Sequence, residues 1–166
     1  MFDPERVLRL LNEAGVAYLV IGGLANNLQG YDRGTGDVDV CYERSGENIR
    51  RLVSVLWALD AKPREWPVGV PFVLDERTIL NSDTFNLTTS AGDLDIVGTP
   101  TGSGGYSDLV RQAERMEIDP GFVVPVVSLG DLIRMKRATA RQKDLADLPD
   151  LERLLELRTE LGSSQE

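Results

Sequence analysis

Between Ile21 and Glu43 the chain reads IGGLANNLQGYDRGTGDVDVCYE, and no other stretch restricts the fold as much. Tyr18-Leu19-Val20-Ile21 has the apolar run of a strand, Gly22-Gly23 a turn, Leu24 to Leu28 a short helix, and Asp37 to Tyr42 a second strand. Side chains alternate between the faces of a strand, so Asp37 and Asp39 project to the same side. Paired carboxylates suit a hard cation, and free N–H groups at a helix start suit an anion. An anion cradle and a cation site are thus expected in adjacent elements. Cys41 shares the parity of the two acids, but a lone Cys at a strand end reads as a small core residue.

The same order of features continues further along. After the Gly-Gly turn and Asp37-Val38-Asp39 comes a third acid between apolar residues, in Leu94-Asp95-Ile96-Val97. Gly30 and Arg33-Gly34-Thr35 precede the Asp pair, and Asp131 to Asp147 contains Leu132-Ile133, Met135-Lys136, Arg141, Lys143-Asp144 and Asp147. This pattern resembles the nucleotidyltransferase superfold. Within it, the chain looks most like the small bacterial nucleotidyltransferase-like proteins related to the AbiEii toxin group, over roughly residues 18 to 150.

The resemblance implies an α/β (α+β) fold, a mixed sheet with helices packed mainly on one face and the three acids converging at one edge. It implies transfer of a nucleoside monophosphate from an NTP to an acceptor hydroxyl on tRNA, protein or a small molecule such as an antibiotic, with a toxin-type enzyme as one form. Asp37, Asp39 and Asp95 would be both catalytic residues and ligands of Mg²⁺, or of Mn²⁺. Lys136 would serve catalysis and phosphate binding, and Gly22, Gly23, Arg33 and Thr35 would contact the nucleotide. Asp93, which shares the parity of Asp95, is the reserve third acid; it follows Gly92 and more easily serves a turn. Arg33 alternatively pairs with a nearby acid, and Lys136 with solvent. A cognate antitoxin or a second copy of the chain would be the protein partner. A non-catalytic nucleotide- or partner-binding module of the same fold is the competing reading.

Bulk properties narrow the field. At 166 residues the chain is read as one domain over 1–161, with 162–166 a frayed polar tail. A net charge of −9 disfavours a broad nucleic-acid surface, which needs clustered Lys and Arg. The sequence contains no His, so a carboxylate must perform any proton abstraction. A single Cys, no membrane-length apolar run and no secretory leader lead to a cytoplasmic expectation. Other nucleotide and metal motifs fail. Gly22 to Asn27 lacks the dinucleotide-binding glycine spacing, no Gly-Lys-Ser/Thr is present, and Gly34 and Gly36 occupy positions where a calcium loop needs oxygen ligands.

The remaining elements are expected as follows. Asp3-Pro4-Glu5 starts a first helix, and Glu47 to Leu59 forms an amphipathic one. Ala61 to Pro71, with three prolines and Trp66, is a loop, followed by short strands at Val70 to Leu74, Thr78 to Leu80 and Thr84 to Thr88. Gly98 to Gly105 has the composition of a linker or a mobile active-site loop. Tyr106 to Met116 is expected to be helical, Phe122 to Val127 a strand, Ser128 the cap of the next helix, and Asp144 to Leu157 the last helix.

Overall fold

The computed structural model describes residues 1–165; Glu166, the last residue of the expected tail, lies outside them. Along the chain run α1 (Pro4–Glu13), β1 (Tyr18–Ile21), α2 (Gly22–Leu28), β2 (Asp37–Tyr42), α3 (Gly46–Ala58), β3 (Lys62–Pro63), α4 (Glu76–Leu80), β4 (Thr84–Thr89) and β5 (Gly92–Val97). Then follow α5 (Tyr106–Leu109) with a 3₁₀ turn at Val110–Gln112, β6 (Glu114–Asp119), β7 (Phe122–Val126), α6 (Leu129–Thr139) and α7 (Gln142–Ser163). The strands form one seven-stranded mixed sheet in the order β3-β4-β5-β2-β1-β7-β6. β2 runs antiparallel to β1 and parallel to β5, while β1 runs parallel to β7.

β1 is buried at all four positions, which explains its unbroken apolar sequence at the middle of the sheet. The partial alternation of β2 has a different cause. Val38 and Val40 are fully buried on one face, while Asp37 and Asp39 stay partly open on the other. On the first face Tyr18 packs toward α1, its hydroxyl donating to Asn12 Oδ1 at 2.8 Å. Val7, Leu8 and Leu11 of α1 join the core there, and each large apolar side chain so buried contributes about 1.5–3 kcal/mol. Asp3 starts α1 by accepting from Arg6 N, and Ser128 starts α6 by accepting from Asp131 N at 3.1 Å.

Several expected elements differ. Thr78 to Leu80 belongs to helix α4, because Asp75 caps the turn by accepting from Thr78 N at 2.8 Å. No strand forms at Val70 to Leu74; Trp66 instead closes its own loop, donating to Val70 O at 2.9 Å and meeting the Phe72 ring edge-on. The helix from Tyr106 stops at Leu109, and Glu114–Asp119 is a strand. There Met116 and Ile118 alternate with exposed charges, and Gly121, at φ +76°, turns the hairpin into β7. Gly98 to Gly105 is held at its start by the amides of Gly98 and Thr99, which donate to Asp83 at 2.9 Å each, and its Pro100 and Thr101 line the cleft that Asp37, Asp39 and Asp95 also line. α7 extends through Gly162 and Ser163, into the segment expected to fray.

Candidate active site

β2 and β5 pair in register, Asp37 opposite Asp93 and Asp39 opposite Asp95. Asp37, Asp39 and Asp95 turn one carboxylate oxygen each toward a common point, all within 4.8 Å of one another. This is an oxygen-only donor set of the kind that suits Mg²⁺ or Mn²⁺. Burial, then the charges of Asp37 and Asp95, push the Asp39 carboxyl up to about 7. The Asp95 carboxyl is also raised, chiefly by burial and partly offset by Arg64. Three acids held together against their own repulsion could hold an external cation.

Gly22 sits directly against this cluster. Its φ is +65°, and a Cβ there would fall 2.5 Å from Asp39 Oδ2, so the position requires glycine twice over. A Cβ on Gly23 would lie 3.0 Å from Thr35 Oγ1. The Thr35 hydroxyl donates to Asp37 O at 3.1 Å and lies 3.3 Å from Asp37 Oδ1, which fixes the acid in place.

The acids open into a cleft of about 530 Å³. Gly22, Gly23, Arg33, Thr35, Asp37, Asp39, Asp95 and Lys136 all line it, while the reserve acid Asp93 does not. The far wall carries a second set of charges. Lys136 Nζ lies 3.1 Å from Asp147 Oδ2 and 3.6 Å from Asp144 Oδ1, and only 13% of its side chain is exposed. Arg33 pairs with Asp147, and Arg141 Nε with Asp144 at 2.8 Å. Lys136 is therefore no solvated lysine, and Arg33 takes the nearby-acid option on a residue distant in sequence. Burial alone would raise Asp144 and Asp147, but hydrogen bonds and charge from Arg141 and Lys136 and from Lys136 and Arg33 outweigh it and hold both carboxyls low.

No protein-family model matches the chain, and no curated protein matches it in sequence. Solved structures do match its fold. The candidate nucleotidyltransferase TM1012 of Thermotoga maritima superposes with a TM-score of 0.53 at 17% identity, over 98% of this chain and 96% of that one. The chain has a nucleotidyltransferase fold. ANT(2")-Ia in complex with adenylyl-2"-tobramycin gives a TM-score of 0.57 at 15% identity, over 98% and 97% of the two chains. The lincomycin-bound lincosamide antibiotic adenylyltransferase LnuA gives 0.59 at 14% identity, over 92% and 98%.

This nucleotidyltransferase fold also holds residues that sequence reasoning missed. Arg64 bridges the two β5 acids, with Nη2 2.8 Å from Asp95 Oδ1 and Nε 3.2 Å from Asp93 Oδ2. Both acids pair with Arg64, and Asp95 also lies with Asp37 and Asp39 in the acid cluster. Nothing in the local sequence announces Arg64, because β3 and β4 bring it across the sheet edge. Lys143, already part of the Lys-Asp segment read from the sequence, lines the cleft as well, and its charge draws the Asp39 carboxyl back down. Asn26, on α2, also lines it.

Proposed function

We propose that the protein is a Mg²⁺-dependent nucleotidyltransferase that moves a nucleoside monophosphate from an NTP to an acceptor hydroxyl. The observation that carries this reading is the meeting of three acids from two adjacent strands against a glycine turn inside one cleft. Asp37 and Asp39 would hold Mg²⁺ or Mn²⁺, with Asp95 completing the set; the metal, when bound, neutralises triphosphate charge and lowers the pKa of the acceptor hydroxyl. Asp95 would share the metal or take the proton from that hydroxyl, since no imidazole is available for the task. The acceptor oxygen bonds to the α-phosphorus as the bond to the pyrophosphate oxygen breaks, and pyrophosphate leaves. Gly22 and Gly23, whose missing side chains let Asp39 and Thr35 pack against the turn, would contact the triphosphate through the backbone. Thr35 steadies Asp37, and Lys136 and Arg33 are close enough to the cleft to exchange an Asp147 contact for a phosphate.

The acceptor is best read as a small hydroxylated compound. The proteins of like fold include an adenylyltransferase for lincosamides and one crystallised with an adenylylated aminoglycoside, and a chain of net charge −9 suits a cationic acceptor. The AbiEii-like features Arg33-Gly34-Thr35 and Lys136 to Asp147 support a toxin-type acceptor instead, tRNA or protein, with a cognate antitoxin or a second copy as partner. An NTP supply fits a bacterial cytoplasmic setting, and no helix among the described residues is long and apolar enough to cross a membrane. One observation favours the binding-module alternative: Lys136 and Arg33 are already paired with acids.

Incubation of the chain with Mg²⁺, each labelled NTP and a cell extract, beside Asp37→Asn/Asp39→Asn, tests the proposal. A product labelled by the first and not by the second is the expected result. Nucleotide binding with no labelled product in extracts or on an aminoglycoside and lincosamide panel would establish the module instead.

A further inference from the structure

Three side-chain amides are almost wholly buried: Asn26, Gln29 and Asn48. Asn48 uses both ends, accepting from Ala17 N at 2.7 Å and donating to the carbonyls of Ala17 and Glu43 at 3.0 and 2.7 Å. Gln29 does the same, donating to Val127 O at 2.9 Å and accepting from Arg158 at 2.6 Å. Asn26 is 1% exposed, and its Oδ1 receives no hydrogen bond from any described group. Buried polar atoms in native folds are nearly always partnered, so the exception requires a cause.

Position distinguishes Asn26 from the other two amides. It alone lines the acid cleft. Asn26 follows Gly22 and Gly23 by four and three residues on α2, which places it on their face of the helix. Its Cα–Cβ bond leans toward the turn that carries those glycines, and so toward the cleft. Leu132 and Met135 of α6, both buried apolar side chains, line the same cleft beside its charged groups.

We propose that Asn26 is a ligand-recognising residue of this cleft, its Oδ1 accepting a hydrogen bond from a hydroxyl or amino group of the nucleoside of a bound NTP. The inference rests on the nucleotidyltransferase reading. Phosphate oxygens of a metal-bound triphosphate have no proton to give, so the donor is a sugar hydroxyl or a base N–H. A donor from the ligand would satisfy the buried Asn26 carbonyl, which no described protein group partners.

Asn26→Leu keeps the approximate shape and removes both polar ends. Calorimetry of the full chain and the variant, with the Mg²⁺ salts of ATP, GTP, CTP and UTP and their 2′- and 3′-deoxy forms, is paired with melting of the free proteins. The variant is expected to melt no lower than wild type, because an unpaired polar group has been replaced by an apolar one. It is expected to bind the preferred NTP about tenfold more weakly. Loss of the ribose-versus-deoxyribose preference would assign the donor to the sugar, and loss of the base preference would assign it to the base. Asn26→Ala, which cannot overpack the site, repeats the affinity measurement. Wild-type affinity in Asn26→Ala, or in both variants, overturns the proposal and leaves the nucleotidyltransferase reading standing. Absence of NTP binding by the wild-type chain overturns both.

Discussion

Two groups of carboxylates face each other across one cleft, and they stand in opposite electrostatic states. Asp37, Asp39 and Asp95 crowd together with only Arg64 and the more distant Lys143 to balance them, and the Asp39 and Asp95 carboxyls are pushed up. Asp144 and Asp147 are more deeply buried, at 3% and 5% side-chain exposure, yet their carboxyls are held low by Lys136, Arg33 and Arg141. Burial alone does not decide the charge of an acid; the neighbours do. The first group is left short of positive charge, and the second has been supplied with its own. A residue can therefore lie in the candidate active site and still serve the fold.

The sharpest way to break this contrast is to remove the shared cation of the second group. Lys136→Met should destabilise the protein by about 2–3 kcal/mol in urea unfolding, because two buried carboxylates lose a common partner. The half-exposed Arg33 and Arg141 and access of solvent keep the loss below that of a fully buried pair. An unchanged midpoint would show that the Asp144–Asp147 group is no more than a solvated charge cluster, and would free Lys136 for a purely phosphate-binding role.

Titration separates the two groups by sign. For Asp39, raised from 3.8 to about 7, the folded state holds its proton more tightly than the unfolded chain does. Its contribution favours the fold below pH 3.8 and is lost as pH rises toward 7. Asp144 and Asp147 are lowered, so their contribution is present above 3.8 and fades as pH falls below it. Metal-free stability should accordingly peak in mildly acidic solution. Asp39→Asn should remove much of the decline on the alkaline side, gaining on the order of 2 kcal/mol at pH 8, and Mg²⁺ should raise the wild type there without raising the variant. A wild-type curve that climbs steadily from pH 4 to 8 without metal would contradict the assignment of the first group as unbalanced.

The smallest effect belongs to Arg64. Its ion pairs with Asp93 and Asp95 are one-third exposed on the Arg side, so Arg64→Gln should cost less than about 1 kcal/mol of stability. Removing a competing cation from Asp95 should tighten Mg²⁺ binding a few-fold, read by calorimetry. Weaker metal binding in that variant would show that Arg64 holds Asp95 in position more than it competes for it.

Local pattern made the centre of the fold legible. The apolar run at Tyr18 to Ile21 and the alternation at Asp37 to Tyr42 mark β1 and β2 at their observed bounds, because strand periodicity and burial agree there. The choice of Asp95 over Asp93 rested on apolar flanks; Arg64 pairs with both acids, and Asp95 is the one with an oxygen within 4.8 Å of Asp37 and Asp39. Peripheral elements were harder to read. Thr78 to Leu80 is too short for its period to separate helix from strand, and the Asp75 cap decides it. Glu114 to Asp119 is a strand because β7 offers it an edge, a long-range fact that the charges around Met116 obscure.

The sequence by itself determined which chemistry the chain carries: three acids at strand parity, a glycine turn, no imidazole, and a Lys-Asp segment far downstream. Those properties belong to covalent order and to the two-residue repeat of a strand. Tertiary structure decided the state of each charge. The pairing of Lys136 with Asp147 and Asp144, the reach of Arg33 to an acid more than a hundred residues away, and the bridge from Arg64 to Asp95 exist only where helices and strands distant in sequence pack together. So does the unpaired amide of Asn26, since whether a polar atom finds a partner depends on what the fold brings beside it and on how much water burial removes.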